Sequence, residues 1–133
     1  MRCTTSRFVA LAFVLVWAAA PVLAHHSFAA QYDSKQTITF TGTVMKMEWQ
    51  NPHIFFYVDA KDASGKLTSY AVEGGPPNTL YRSGWRKDSI KIGETVTVEG
   101  SKARDGSNLV NARSVVMANG KRVFAGSSET AGR

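Results

Sequence analysis

Three histidines carry the coordination chemistry open to this chain: the adjacent His25 and His26, and His53 within Asn51-Pro52-His53. Cleavage after Ala24 would make His25 the first residue of an exported protein. Its free amine and imidazole, with a second imidazole nearby, would then form a compact set of nitrogen donors. Such a set suits copper first, with nickel and zinc behind it in the affinity order. Two arrangements are open. In a folded brace, the His25 amine and Nδ1 chelate the metal and His53 supplies the third nitrogen, with His26 the weaker alternative. In a local chelate, the amine, a backbone amide nitrogen and His26 suffice, and His53 is dispensable. A reading with no metal also stands, in which His25 and His26 begin a solvated arm and His53 bonds to backbone at a strand end.

Other chemistry is sparse. Cys3 is the single cysteine and lies in the segment to be removed, so the exported chain has no thiolate or disulfide. Ser27, Ser83 and Ser89 lack a histidine and carboxylate at a recognisable spacing. Glu48, Asp59 and Glu73 read as solitary strand carboxylates, and Gly74-Gly75-Pro76-Pro77 lacks the lysine of a phosphate-binding loop. Met45 and Met47 are expected to face the core, which argues against a Cu(I)-selective carrier. These residues describe a binding protein rather than an enzyme. Phe55, Tyr57 and Tyr70 offer a weaker ligand-binding surface by stacking, against the simpler expectation that the rings fill the core.

Export rests on the first 24 residues. Arg2 and Arg7 precede the apolar run Phe8–Ala20, then come Pro21 and Val22-Leu23-Ala24. This is the order of a cleaved secretory signal, and the run is too short for the ~20 residues of a permanent span. The expected location is the periplasm, without a stable membrane anchor after cleavage. Loss of the two arginines lowers the formal charge from +6 to +4. That excess would suit nucleic acid in the cytoplasm, but export removes nucleic acid as an expected partner. A chain of about 100 residues forms one domain with a modest core, expected to be a monomer.

The positioning elements are strands. Residues 25–36 read as an N-terminal arm, 37–124 as the domain and 125–133 as a disordered tail. Ile38, Phe40 and Val44 are even-numbered, whereas Met45, Met47 and Trp49 are odd-numbered, so the first strand slips by one residue just after Gly42. Such a slip in a period-two pattern predicts a bulge in a long, bent strand. A strand of about 13 residues spans roughly 43 Å and an extended arm of about 12 residues roughly 40 Å, so His25 could lie back beside His53. Further strands are expected over His53–Ala60, Leu67–Glu73, Thr95–Lys102 and Leu109–Met117, with Val123-Phe124 folded back by Asn119-Gly120. A short helix capped by Asn78 and reaching Trp85 falls between strands three and four. The order predicts an all-β chain: a small OB-like β-barrel of five to six strands with one helix.

The segments His25-His26-Ser27-Phe28-Ala29-Ala30, Tyr32-Asp33, Gly42-Thr43-Val44, Trp49-Gln50-Asn51-Pro52-His53, Gly84-Trp85, Gly93–Gly100 and Asp105-Gly106-Ser107 together resemble a bacterial domain-of-unknown-function family of small exported proteins. The likeness covers nearly all of the chain after Ala24. Gln31 departs from the acidic or hydroxyl residue usual there. The resemblance implies a periplasmic location and a single domain, and no activity.

Overall fold

The computed structural model describes residues 28–123. The segment read as a secretory signal, His25, His26, and the residues from Phe124 onward, which include half of the expected Val123-Phe124 strand, lie outside the described residues. One helical turn, α1 (Phe28–Gln31), leads directly into β1 (Tyr32–Glu48). Then follow β2 (Phe55–Lys61), β3 (Leu67–Glu73), α2 (Pro77–Arg82), β4 (Thr95–Ala103), β5 (Leu109–Met117) and β6 (Arg122–Val123). The sheet order is β3-β2-β1-β4-β5-β6, and a parallel pairing of β3 with β5 joins the two ends into a ring. Strand order and the helix between β3 and β4 are those of an OB-like fold. Among the described residues, no helix is long and apolar enough to cross a membrane.

β1 serves both halves of the ring. Its Gly42 to Glu48 stretch pairs with β2, and Thr37 to Thr43 pairs with β4, so Gly42 faces Ala60 on one side and Val96 on the other. The anticipated slip is present: Val44 pairs with Val58 and Lys46 with Tyr57, which leaves Met45 as the extra residue of a bulge. Met47 then packs on the core as expected, but Met45 is exposed, because a bulged residue is left out of the alternation. Val44, Phe56, Val58, Val72, Val96 and Val98 from the strands meet in one buried core, to which Leu80, Trp85 and Ile90 from the segment between β3 and β4 also belong.

Beyond one-residue differences at the ends of β2 and β4 and the start of β6, three boundaries differ from the sequence expectation. β1 begins at Tyr32 rather than Thr37, because Tyr32 and Asp33 pair with Ala103 and Lys102 across an irregularity that pure alternation does not reveal. The last five residues of the expected N-terminal arm, residues 32–36, are therefore part of the sheet. β2 starts at Phe55, after His53 and Ile54. The helix is capped by Pro76 in an extended conformation, with Pro77 at its first position and no side-chain cap, so Asn78 lies inside it. It stops at Arg82, before the positive-φ Gly84, and Trp85 is buried beyond its end.

Candidate functional site

His53 sits where two backbone bonds lock the entry of β2 to the end of β3. Ile54 donates its N–H to the carbonyl of Gly75 at 3.2 Å, and Gly74 donates to that of Ile54 at 2.9 Å. Ile54 itself is wholly buried. These contacts hold the His53 backbone against Glu73, the last residue of β3. The imidazole Nδ1 contacts Glu73 Oε1. The other carboxylate oxygen, Oε2, accepts a hydrogen bond from the Tyr32 hydroxyl.

Strand register explains why a glutamate is buried here. Glu73 pairs with Phe55 and lies beside Asn111 across the parallel β3–β5 seam. Its neighbour Val72 points into the core, so Glu73 projects from the opposite face. That face would be solvated but for the chain's first described residues, which fold over it. Tyr32 is 1% exposed, and Phe28 stacks on it with ring centroids 5.4 Å apart. Arg104 ties the segment down: its Nε donates to the Ala29 carbonyl at 2.8 Å and its backbone N–H to that of Gln31 at 3.0 Å. The result is a linked row, Phe28–Tyr32–Glu73–His53, running from the chain's entry to an imidazole that is a quarter exposed.

Burial, reinforced by the neighbouring Glu73 carboxylate, raises the Tyr32 phenol well above the usual tyrosine range. The sign of the consequence is definite. Above the ordinary value near 10, the unfolded chain releases this proton while the folded chain keeps it, so stability falls as pH rises through that value, by up to about 1.4 kcal/mol per pH unit. Below it the proton is bound in both states and the term vanishes. Urea unfolding between pH 9 and 11 should show Tyr32→Phe losing stability less steeply than the wild type; parallel slopes would refute the assignment.

The sequence-derived site residues are placed as follows. His53 is in the linked row, whereas His25 and His26 lie outside the described residues. Phe55 and Tyr57 project outward from β2, where Tyr57 donates to Glu48 at 3.0 Å and Lys46 lies 5.1 Å from its ring centroid. Tyr70 pairs with Val58 and so shares the inward face, where it stacks on Phe40 at 4.1 Å. The three aromatics thus do not share one surface. Glu73 and Tyr32 are the residues that sequence reasoning missed. Glu73 is buried and bonded, not a solvated strand carboxylate. No spacing rule joins it to Tyr32, 41 positions earlier.

Among the described residues, no group of three or more histidine, cysteine or acidic side chains could hold a metal ion. A site of three such ligands that includes His53 would need donors from outside the described residues.

A family model matches residues 12–111, three quarters of the chain. The chain belongs to the family of unknown function DUF6152. That membership agrees with the resemblance carried by the HHSFAA and NPH segments. No curated protein matches the chain. Among solved structures, it is similar to the mitochondrial single-stranded DNA binding protein Rim1 of S. cerevisiae, at 9% identity and a TM-score of 0.49, covering 62% of this chain and 93% of that one. It is also similar to the N-terminal domain of PriB from Thermoanaerobacter tencongensis, at 18% identity and a TM-score of 0.42, covering 64% and 98%. The fold assignment rests on strand order and ring closure rather than on these distant likenesses.

Proposed function

We propose that this DUF6152 protein is an exported periplasmic binding protein, not an enzyme, that takes up a transition metal ion, copper first, through His25 and His53 with His26 subordinate. The observation that carries the reading is the hold on His53. A ligating histidine commonly gives its other ring nitrogen to a carboxylate, which fixes the ring and raises its basicity. Buried Glu73 stands in that position toward His53 Nδ1. The same carboxylate anchors Tyr32, so the chain's first described residues are tied to it. His25 lies three residues before Phe28, and three extended residues span at most about 11 Å. The reach foreseen for a long extended arm is therefore replaced by a short one.

Copper leads because an amine with two imidazoles is a nitrogen set and Cu(II) tops the affinity order. Export leaves a +4 chain as a monomer with no nucleic acid to meet. Cu(II) titrated into the mature chain and into a version with one added N-terminal residue provides the test. The extension blocks the chelate formed by the amine and His25, so it should cost at least about tenfold in affinity, or 1.4 kcal/mol. Equal binding by both proteins refutes the brace.

A second reading is a ligand- or protein-binding module with incidental histidines. It is favoured by a cleft of about 250 Å³ between Ile38–Thr41 and the β2–β3 hairpin, to which the stacked Phe40 and Tyr70 contribute. Absence of copper binding by either protein selects it.

A further inference from the structure

Both oxygens of Glu73 are engaged, one by the Tyr32 hydroxyl and the other by His53 Nδ1. A nitrogen lone pair would be repelled by a carboxylate oxygen at contact distance, so the ring nitrogen facing Oε1, like the phenol that donates to Oε2, must bring a hydrogen. Tyr32 can do so throughout the neutral range, because burial and the adjacent carboxylate oppose loss of its proton. For the imidazole, the requirement decides between tautomers: a neutral ring that donates from Nδ1 has its lone pair on Nε2. Free histidine prefers the reverse, with hydrogen on Nε2.

We propose that Glu73 and Tyr32 are positioning residues that hold His53 in its Nδ1–H tautomer and thereby make Nε2 the nitrogen offered to a ligand. Tyr32 acts through Glu73. It occupies Oε2 and leaves Oε1 directed at the ring. Phe28, stacked on Tyr32, and Arg104, bonded to the Ala29 carbonyl, hold the phenol's chain segment in place. The metal-free protein therefore already contains one oriented donor, and its orientation depends on docking of the residues that follow His25 and His26. The consequence for affinity rests on the metal reading; the tautomer does not.

The two can be tested apart. Long-range proton–nitrogen correlation spectra of ¹⁵N-labelled, metal-free mature protein at pH 8 report the tautomer of each histidine, with His53 assigned by its loss in His53→Ala. The wild type should show Nδ1–H. In Glu73→Gln the Tyr32 hydroxyl, a better donor than acceptor, should hold the amide oxygen and turn the NH₂ toward the ring. Nδ1 must then accept, and the population should move to Nε2–H. Adding Tyr32→Phe to Glu73→Gln frees the amide to rotate and should restore a mixture, a response that general loosening would not produce. Cu(II) affinity should fall about 10- to 100-fold in Glu73→Gln.

An Nε2–H tautomer or an imidazolium in the wild type overturns the proposal whether or not copper binds. Should Glu73→Gln fail to fold, the wild-type spectrum still decides. A wild-type Nδ1–H signal that flips in Glu73→Gln, with no copper bound by either protein, upholds the positioning role and rejects the metal reading.

Discussion

His53→Ala should weaken Cu(II) binding by the mature protein about 100-fold, or 2.7 kcal/mol, whereas His26→Ala should cost less than about tenfold. The asymmetry comes from pre-organisation. His53 is fixed before any metal arrives, by the backbone bonds of Ile54 and Gly74 and by Glu73 at Nδ1. Little ordering cost remains when its ring ligates. His26 has no such support in the brace: on extended chain, adjacent side chains point to opposite sides, so a backbone that directs His25 inward turns His26 away. Competition against a chelator of known affinity, at one pH because ligation requires deprotonated donors, measures both variants. A larger loss for His26→Ala would mean that the amine, an amide nitrogen and His26 bind copper locally, with the folded domain as a bystander. Comparable losses would also reject the brace as drawn, because they would make His26 an equal donor.

Much of this fold is legible from period-two patterning, and what is not legible has definable physical causes. The bounds of β3 and β5 and the slip after Gly42 follow from local alternation, because each strand has one face in the core. Met45 escapes that logic, since the residue added by a bulge belongs to neither phase. Tyr32 escapes it too: its pairing with Ala103 is separated from the regular ladder by the irregularity between Asp33 and Thr37. The site is less legible than the fold. His53 stands out by its residue type, but the carboxylate beside it is chosen by ring closure. Parallel pairing of β3 with β5 puts Glu73 next to Asn111, and the start of β1 then covers it. A strand-end glutamate that will be roofed by a segment 41 residues away carries no local mark of that fate. For the same reason the outward set of Phe55 and Tyr57 could not be separated from Tyr70 before the β2–β3 register was known.

Gly42→Ala should destabilise the domain by about 3 kcal/mol or more, at the upper end of what overpacking costs. A Cβ at this position would lie 2.4 Å from the Asp59 carbonyl oxygen, 2.7 Å from Val58 Cγ1 and 2.8 Å from the Asp59 carbonyl carbon. Two of these atoms are backbone, so no rotamer change relieves the clash. β1 cannot simply retreat, because Gly42 is paired on one side with Ala60 and on the other with Val96. Moving away from β2 would compress the pairing with β4. The matched control is Gly65→Ala in the β2–β3 turn, where φ is +84° and nothing apart from its own chain neighbours lies within 4 Å of the added carbon. There the only penalty is left-handed backbone, about 1–2 kcal/mol. Urea unfolding with unchanged m-values would convert both midpoints into free energies. A Gly42→Ala penalty no larger than that of Gly65→Ala would show that β1 does not cross between its two neighbours as tightly as a closed ring requires. The ordering matters to the site as well, because ring closure is what brings β3 to β5 and so buries Glu73 beneath Tyr32.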